Sequence, residues 1–346
     1  MPPSSRPTIR LSRLSLALGI AGILSVGVLA GLALGRDRSD DFPPASAVDP
    51  PPPANLAGDS GAVRASMRRV HYRIFHDVAL EIGVLQGALT PTRVGKPVSF
   101  DDPGSFDIAI DTARITLDTA DLSGLLNQFV FHYHGAAIHD LHARTEGGRL
   151  RLHGKIHKLL TLPFTIVASV RVTPEGLIRL HPEQVEVLGI GVKGLLGALS
   201  VELDDLIRSN RLHGVTVDGN ELALDPTELL PPPRIRGRLE ALVVESAGVV
   251  QIFGRRREKS FAPVPPLGRA SIALRGGRLQ FGKLTMLDAD MRILRPDSSG
   301  RFDFFLADYL RQLLAGYHTT TAVNGLDVVM PDYALTERGE HLHPAR

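Results

Sequence analysis

The stretch Arg149-Leu150-Arg151-Leu152-His153-Gly154-Lys155-Ile156-His157 puts an apolar residue or glycine at every even position and a basic residue at every odd one. Period-two alternation is what a strand with one buried and one solvated face requires. Just before it, Gly147-Gly148 supplies the positive φ angles of a two-residue hairpin, and Ile138 to Glu146 provides the partner strand. This turn sets a register: Glu146 faces Arg149, Arg144 faces Arg151, His142 faces His153 and Asp140 faces Lys155. Two of the four pairs carry opposite charges, which supports it.

The pattern extends downstream. Leu162, Phe164, Ile166, Ala168, Val170 and Val172 share one face, and Thr173-Pro174-Glu175-Gly176 turns the chain into Leu177 to Val187. Four consecutive antiparallel strands therefore form a meander. The same signals predict strands at 69–77, 78–90, 106–117, 213–218, 221–225, 235–245, 248–253, 269–275, 278–287 and 319–330. Gly-Gly-Arg-Leu recurs at 147 and 276 and marks two hairpins.

Three helices are predicted among the strands. Asp121 can cap one bearing Leu122, Leu125, Leu126, Phe129 and Tyr133 at helical spacing. A second runs from Val192 to Ile207. The third carries Phe302, Phe305, Leu306, Tyr309, Leu310, Leu313 and Leu314. Each apolar stripe needs a partner, and the sheets supply it. Without regular β-α-β alternation, the expected class is α+β with antiparallel sheets.

Before the folded region, Leu14 to Gly35 is 22 residues without a charge. As a helix it is roughly 33 Å long, enough for a hydrocarbon core of about 30 Å. Arg6, Arg10 and Arg13 precede it, whereas Arg36 and Arg38 follow it among three aspartates. This bias favours a cytoplasmic N-terminus and an exported remainder. A retained anchor and a cleaved signal peptide are both open readings. Gly27, Gly31 and Gly35 share one helix face and offer a homodimer contact, although glycine is frequent in spans anyway. The resulting division is a cytoplasmic 1–13, a span at 14–35, a Pro-rich spacer at 36–63, a domain at 64–230 and a β-rich extension at 231–335. The extension has one helix and is either separate from the domain or continuous with it; 336–346 is a polar tail.

Composition narrows the chemistry. The 346 residues contain no Cys and no Trp, so thiol nucleophiles, disulfides and Cys-ligated metals are excluded. With 39 Lys+Arg against 37 Asp+Glu, no nucleic-acid footprint is present. Gly189 to Gly194 matches G-x-G-x-x-G but follows hairpins, outside the β-α-β unit that a dinucleotide site needs. His142, His153 and Asp140 offer weak metal ligands beneath the positive field of Arg144, Arg151 and Lys155. Neither a nucleophile elbow nor a phosphate-binding glycine loop with lysine occurs, and Asp288 and Asp290 lack a nameable catalytic partner. No catalytic residue and no cofactor is predicted. Arg255, Arg256, Arg257 and Lys259 form a basic loop suited to anionic head groups, or simply an exposed polar loop.

Several segments taken in order resemble a known family: Ile115 to Leu126, Gly147 to Gly154, Leu162-Pro163-Phe164, Thr173 to Pro182, Gly189 to Val192 and Val215 to Leu224. This order is similar to the LmeA-like phospholipid-binding family of bacterial envelope proteins, over about a third of the chain. The resemblance implies a helix lying along a strongly curved antiparallel sheet, an apolar channel and no catalytic residues. Candidate lining residues are Leu122, Leu126, Phe129, Phe164, Ile166 and Val170. The stripes suit a pocket or an ordinary packed core equally well. The region from Pro231 to Tyr333 lies outside the resemblance. Lacking a lipid-modified Cys, the chain would be tethered by 14–35. The leading expectation is a non-catalytic, membrane-anchored lipid-binding protein. A structural or protein-interaction module with a filled core is the alternative, and a His-dependent metalloenzyme the third.

Overall fold

Along the chain, Val63–Phe75 (β1) and Val78–Pro91 (β2) form a long hairpin, followed by Val98–Ser99 (β3) and Phe106–Leu117 (β4). The computed structural model describes residues 61–130, 138–157, 161–187, 190–191, 215–218, 221–224, 235–254, 269–322 and 324–343. After the short helix α1 (Thr119–Leu125) come Ile138–Glu146 (β5), Arg149–His157 (β6), Thr161–Val172 (β7) and Ile178–Val187 (β8). Short strands follow at Ile190–Gly191 (β9), Val215–Asp218 (β10), Glu221–Leu224 (β11) and Ile235–Arg236 (β12). Then come Leu239–Glu245 (β13), Gly248–Phe253 (β14), Ser271–Arg275 (β15), Leu279–Phe281 (β16) and Leu284–Met286 (β17). Asp290–Leu294 (β18), Phe302–Phe305 (β19), helix α2 (Tyr309–Ala315), Tyr317–Thr320 (β20), Leu326–Val329 (β21) and helix α3 (Tyr333–Thr336) complete the chain.

Among the described residues these strands form three sheets. The largest has eleven strands, ordered β13-β14-β4-β2-β1-β15-β18-β21-β20, with β12 beside β4 and β19 beside β1. Strands from before and after residue 231 thus share one ladder. The meander, β10-β11-β8-β7-β6-β5 with β9 on β8, makes the seven-stranded sheet, and β17-β16-β3 the small one. One continuous apolar core joins them, from Val70, Tyr72 and Ile82 through Leu122 and Leu126 to Leu150, Phe164 and Ile178.

The α+β, purely antiparallel expectation is corrected. Among the described residues 60% are strand and 12% helix, and the sheets are mixed. Parallel pairs join β1 to β19, β4 to β12, β18 to β21 and β3 to β16. The first four residues of the expected helix at 302–314 are strand. Phe302 and Phe304 are buried at 0% and 1% exposure and pair in parallel with Val70 and Tyr72, so period two wins over the helical spacing there. Only seven residues remain in α2, and Leu310 and Leu314 of the supposed core stripe point to solvent. The first helix is capped by Asp118, whose carboxylate accepts from the Asp121 amide at 2.8 Å, not by Asp121. The second helix and the apolar segment 14–35 lie outside the described residues. Within the described residues no helix is long and apolar enough to cross a membrane.

The hairpin register holds for Glu146–Arg149, Arg144–Arg151 and His142–His153, then shifts so that His139 faces Lys155. Asp140 causes the shift by adopting a φ of 55° at a bulge. Its carboxylate still reaches the Lys155 ammonium at 2.8 Å.

Candidate functional site

On the large sheet, β1 alternates strictly at its start: Val63 and Ala65 point into the core, whereas Arg64 and Ser66 point out. Pairing then builds a polar row across five strands, in which Gln86 lies opposite Ser66, Ser66 opposite Ala273, Ala273 opposite Arg292 and Arg292 opposite Asp327. At a strand spacing of about 4.8 Å this row is roughly 19 Å wide. A second row runs Val84, Arg68, Ser271, Leu294. At Arg69, φ is 50°, and here β1 exchanges its neighbour β15 for β19.

Beside that exchange lies a cleft of about 400 Å³ lined by Ser66, Arg68, Gln86, Arg269, Ser271, Arg292 and Asp327, with Val84 and Leu294 of the second row as apolar neighbours. Arg292 holds Asp327 through two hydrogen bonds of 2.6 and 2.5 Å, a fork-to-carboxylate pairing that fixes both groups. That bond also holds the guanidinium above its ordinary pKa. Arg269 donates to the carbonyls of Arg295 and Pro296 at 2.6 and 2.7 Å. The Arg68 guanidinium has no hydrogen bond or ion pair among the described residues. Three guanidinium groups therefore meet one carboxylate, already engaged, beside two hydroxyls and an amide. This arrangement can hold an anion's oxygens. The lining contains no imidazole, thiol or amine to activate Ser66 or Ser271.

The residues singled out from the sequence lie elsewhere. Leu122 and Leu126 are buried in the core at 0% and 1% exposure, Phe164 is buried, and Ile166 and Val170 pack half-buried against the same cluster. Helix α1 is fastened to the edge strand β5. The Asn127 side chain accepts from the Leu141 amide at 2.8 Å and donates to its carbonyl at 2.6 Å, and the Ser123 hydroxyl accepts from the Ala143 amide. Side chains thus satisfy an edge that would otherwise stay unpaired. The side chain of Phe129, the basic loop at Arg255, Arg256, Arg257 and Lys259, and Gly27, Gly31 and Gly35 lie outside the described residues.

His142 and His153 do face each other. The ring of His142 contacts the Asp140 carbonyl, that of His153 the Thr165 hydroxyl, and Asp140 is tied to Lys155. Among the described residues no three His, Cys, Asp or Glu side chains gather as a metal site. Much of the outer face of the meander is charge-neutralised: Arg149 pairs with Glu183, Arg151 with Glu146, and Glu221 bridges Arg171 and Arg179. No family model, curated protein or solved structure matches the chain.

Proposed function

We propose that this chain is a non-catalytic lipid-binding protein, tethered to a bacterial inner membrane by residues 14–35, with its folded region on the outer side. The arginine cleft would take the anionic head group. The observation that carries this reading is Arg68, a half-buried guanidinium without a protein partner among the described residues, placed beside the Ser66 and Ser271 hydroxyls. Guanidinium groups suit phosphate because their planar donors match its oxygens. Val84 and Leu294, on the Arg68 row, add apolar surface that supports an amphiphile over a bare ion. The order of segments similar to LmeA-like envelope proteins supports the same class of ligand, and the uncharged segment 14–35 supports the tether.

Titration of the detergent-purified full chain with monomeric short-chain phosphatidic acid tests the reading, with phosphatidylcholine of equal chain length and inorganic phosphate as separate arms. Saturable binding of phosphatidic acid, tighter than both, is expected. Equal binding of phosphate and phosphatidic acid would mean a simple anion site, and no binding of either would overturn the proposal.

A further inference from the structure

Six large apolar side chains are exposed among the described residues: Val94, Val243, Leu284, Leu287, Leu310 and Leu314. All but Val243 belong to the small sheet, the loops leading into and out of it, or helix α2 beside it. We propose that this end of the molecule is a membrane-docking face, which rests on the tether reading given above and adds a second, independent contact with the bilayer.

Helix α2 is locked in place by its opposite side. Tyr309 donates its hydroxyl to Asp101 at 2.7 Å, accepts the Gly282 amide at 2.9 Å and sets its ring 4.7 Å from Phe281. Gln312 and Ala315 are buried on the same side. Leu310 and Leu314, four residues apart and so on one helix face, consequently stand outward at 46% and 80% exposure. Leu310 flanks Gly282, in the turn that carries Leu284, itself 45% exposed. Among the described residues the Leu310 and Leu314 face of this fixed helix is uncovered.

Two features identify the bilayer as the occupant. First, the described fold begins at this face. The Gly61 carbonyl accepts from the Arg278 amide at 3.4 Å, and a Cβ at Gly277 would lie 2.4 Å from the Ala62 carbonyl. Residue 61, where the described chain starts, therefore lies against the turn that leads into β16, and the Pro-rich sequence and the uncharged segment 14–35 precede it in the chain. Second, cations stand next in sequence to most of these apolar groups: Arg93 and Lys96 about Val94, Lys283 before Leu284, and Arg311, which also pairs with Asp308 at 3.0 Å, between Leu310 and Leu314. Apolar side chains interleaved with Lys and Arg are what an interfacial surface presents to anionic lipid.

The chain has no Cys, so single-cysteine variants carry one environment-sensitive probe each. Leu314→Cys, Leu284→Cys and, as control, Val243→Cys are labelled in the full chain and reconstituted into phosphatidylglycerol–phosphatidylcholine vesicles. Spin-labelled acyl chains then report depth. At an insertion of about 5–10 Å the probes at 314 and 284 should shift to the blue and lose about half their emission or more, while the probe at 243 stays unquenched. In the Leu310→Asp, Leu314→Asp background the probe at 284 should lose that quenching. Probes at 314 and 284 as unquenched as the one at 243 would overturn the docking face. So would a blue shift without lipid quenching that grows with protein density, because a second copy would then cover the leucines. Flotation after an alkaline wash reads the tether separately: a chain released by the wash refutes the span, while the quenching at neutral pH still decides the face.

Discussion

The carboxylate of Asp121 accepts the backbone amide of Ala79 at 2.9 Å, joining the first turn of α1 to the start of β2. Burial pushes this carboxyl up to about 6, helped by the nearby charge of Asp118 and opposed by the Ala79 bond and by His71. A folded value above the unfolded one means that the native state binds the proton more tightly. Stability from this group is therefore greatest below about pH 4, falls as pH rises to about 6, and stays reduced above. Asp121→Asn keeps an acceptor for Ala79 and removes the charge. After allowance for its partial exposure, the variant should gain about 1 kcal/mol at pH 7.5 and little at pH 4. Denaturant midpoints at the two pH values check this, and an equal gain at both would refute it.

Gln312 is fully buried and spends its whole amide on the backbone. Its oxygen accepts from Phe305, and its nitrogen donates to the carbonyls of Asp303 and Pro331, each at 2.9 Å. Gln312→Leu fills similar space but strands these groups, at a cost of about 2–4 kcal/mol. Chemical denaturation should show this loss with an unchanged slope. A loss below about 1 kcal/mol would mean that the backbone groups find other partners.

Gly87 and Gly83 stand on the same strand and should respond oppositely. A Cβ at Gly87 would lie 2.2 Å from the Ala109 carbonyl on β4, whereas one at Gly83 meets nothing closer than 3.6 Å. Backbone of a central strand cannot give way as a side chain can. Gly87→Ala should therefore cost about 3 kcal/mol or more, and Gly83→Ala should be neutral or slightly stabilising because it restricts the unfolded chain. Thermal melts of the pair decide it, and similar melting points would count against the close approach.

Local turn chemistry explains which parts of this fold can be read from the chain. Gly147-Gly148 fixes three cross-strand pairs because the turn residues and their partners lie within eleven residues of one another. The reading fails at Asp140, whose left-handed backbone leaves no pattern in the alternation. It fails more widely where pairing is remote: Phe302 and Phe304 find β1 some 230 residues away, and an i, i+3, i+4 spacing of aromatics there imitates a helix. The cleft was invisible for a related reason. Its row joins Ser66 to Asp327 through strands that no short-range signal connects, and a strand taken to begin at 69 omits the Arg64-Ala65-Ser66-Met67-Arg68 alternation that supplies Ser66 and Arg68. That alternation was the available clue.

Arg68 separates binding from folding in that cleft. Because its guanidinium makes no hydrogen bond or ion pair with the described residues, Arg68→Glu should leave stability within about 0.5 kcal/mol. A basic residue near an anionic lipid surface contributes about 1 kcal/mol, so reversing the charge should remove about 2 kcal/mol, roughly a thirtyfold loss of affinity for phosphatidic acid. Arg292→Ala behaves differently, since it leaves the half-buried Asp327 without its bidentate partner and lowers stability along with binding. Raising salt from 0.1 to 1 M shortens the screening length from about 10 to about 3 Å and should weaken the native protein's binding far more than that of Arg68→Glu. If Arg68→Glu binds phosphatidic acid as tightly as the native chain does at 0.1 M salt, the head group does not sit in this cleft.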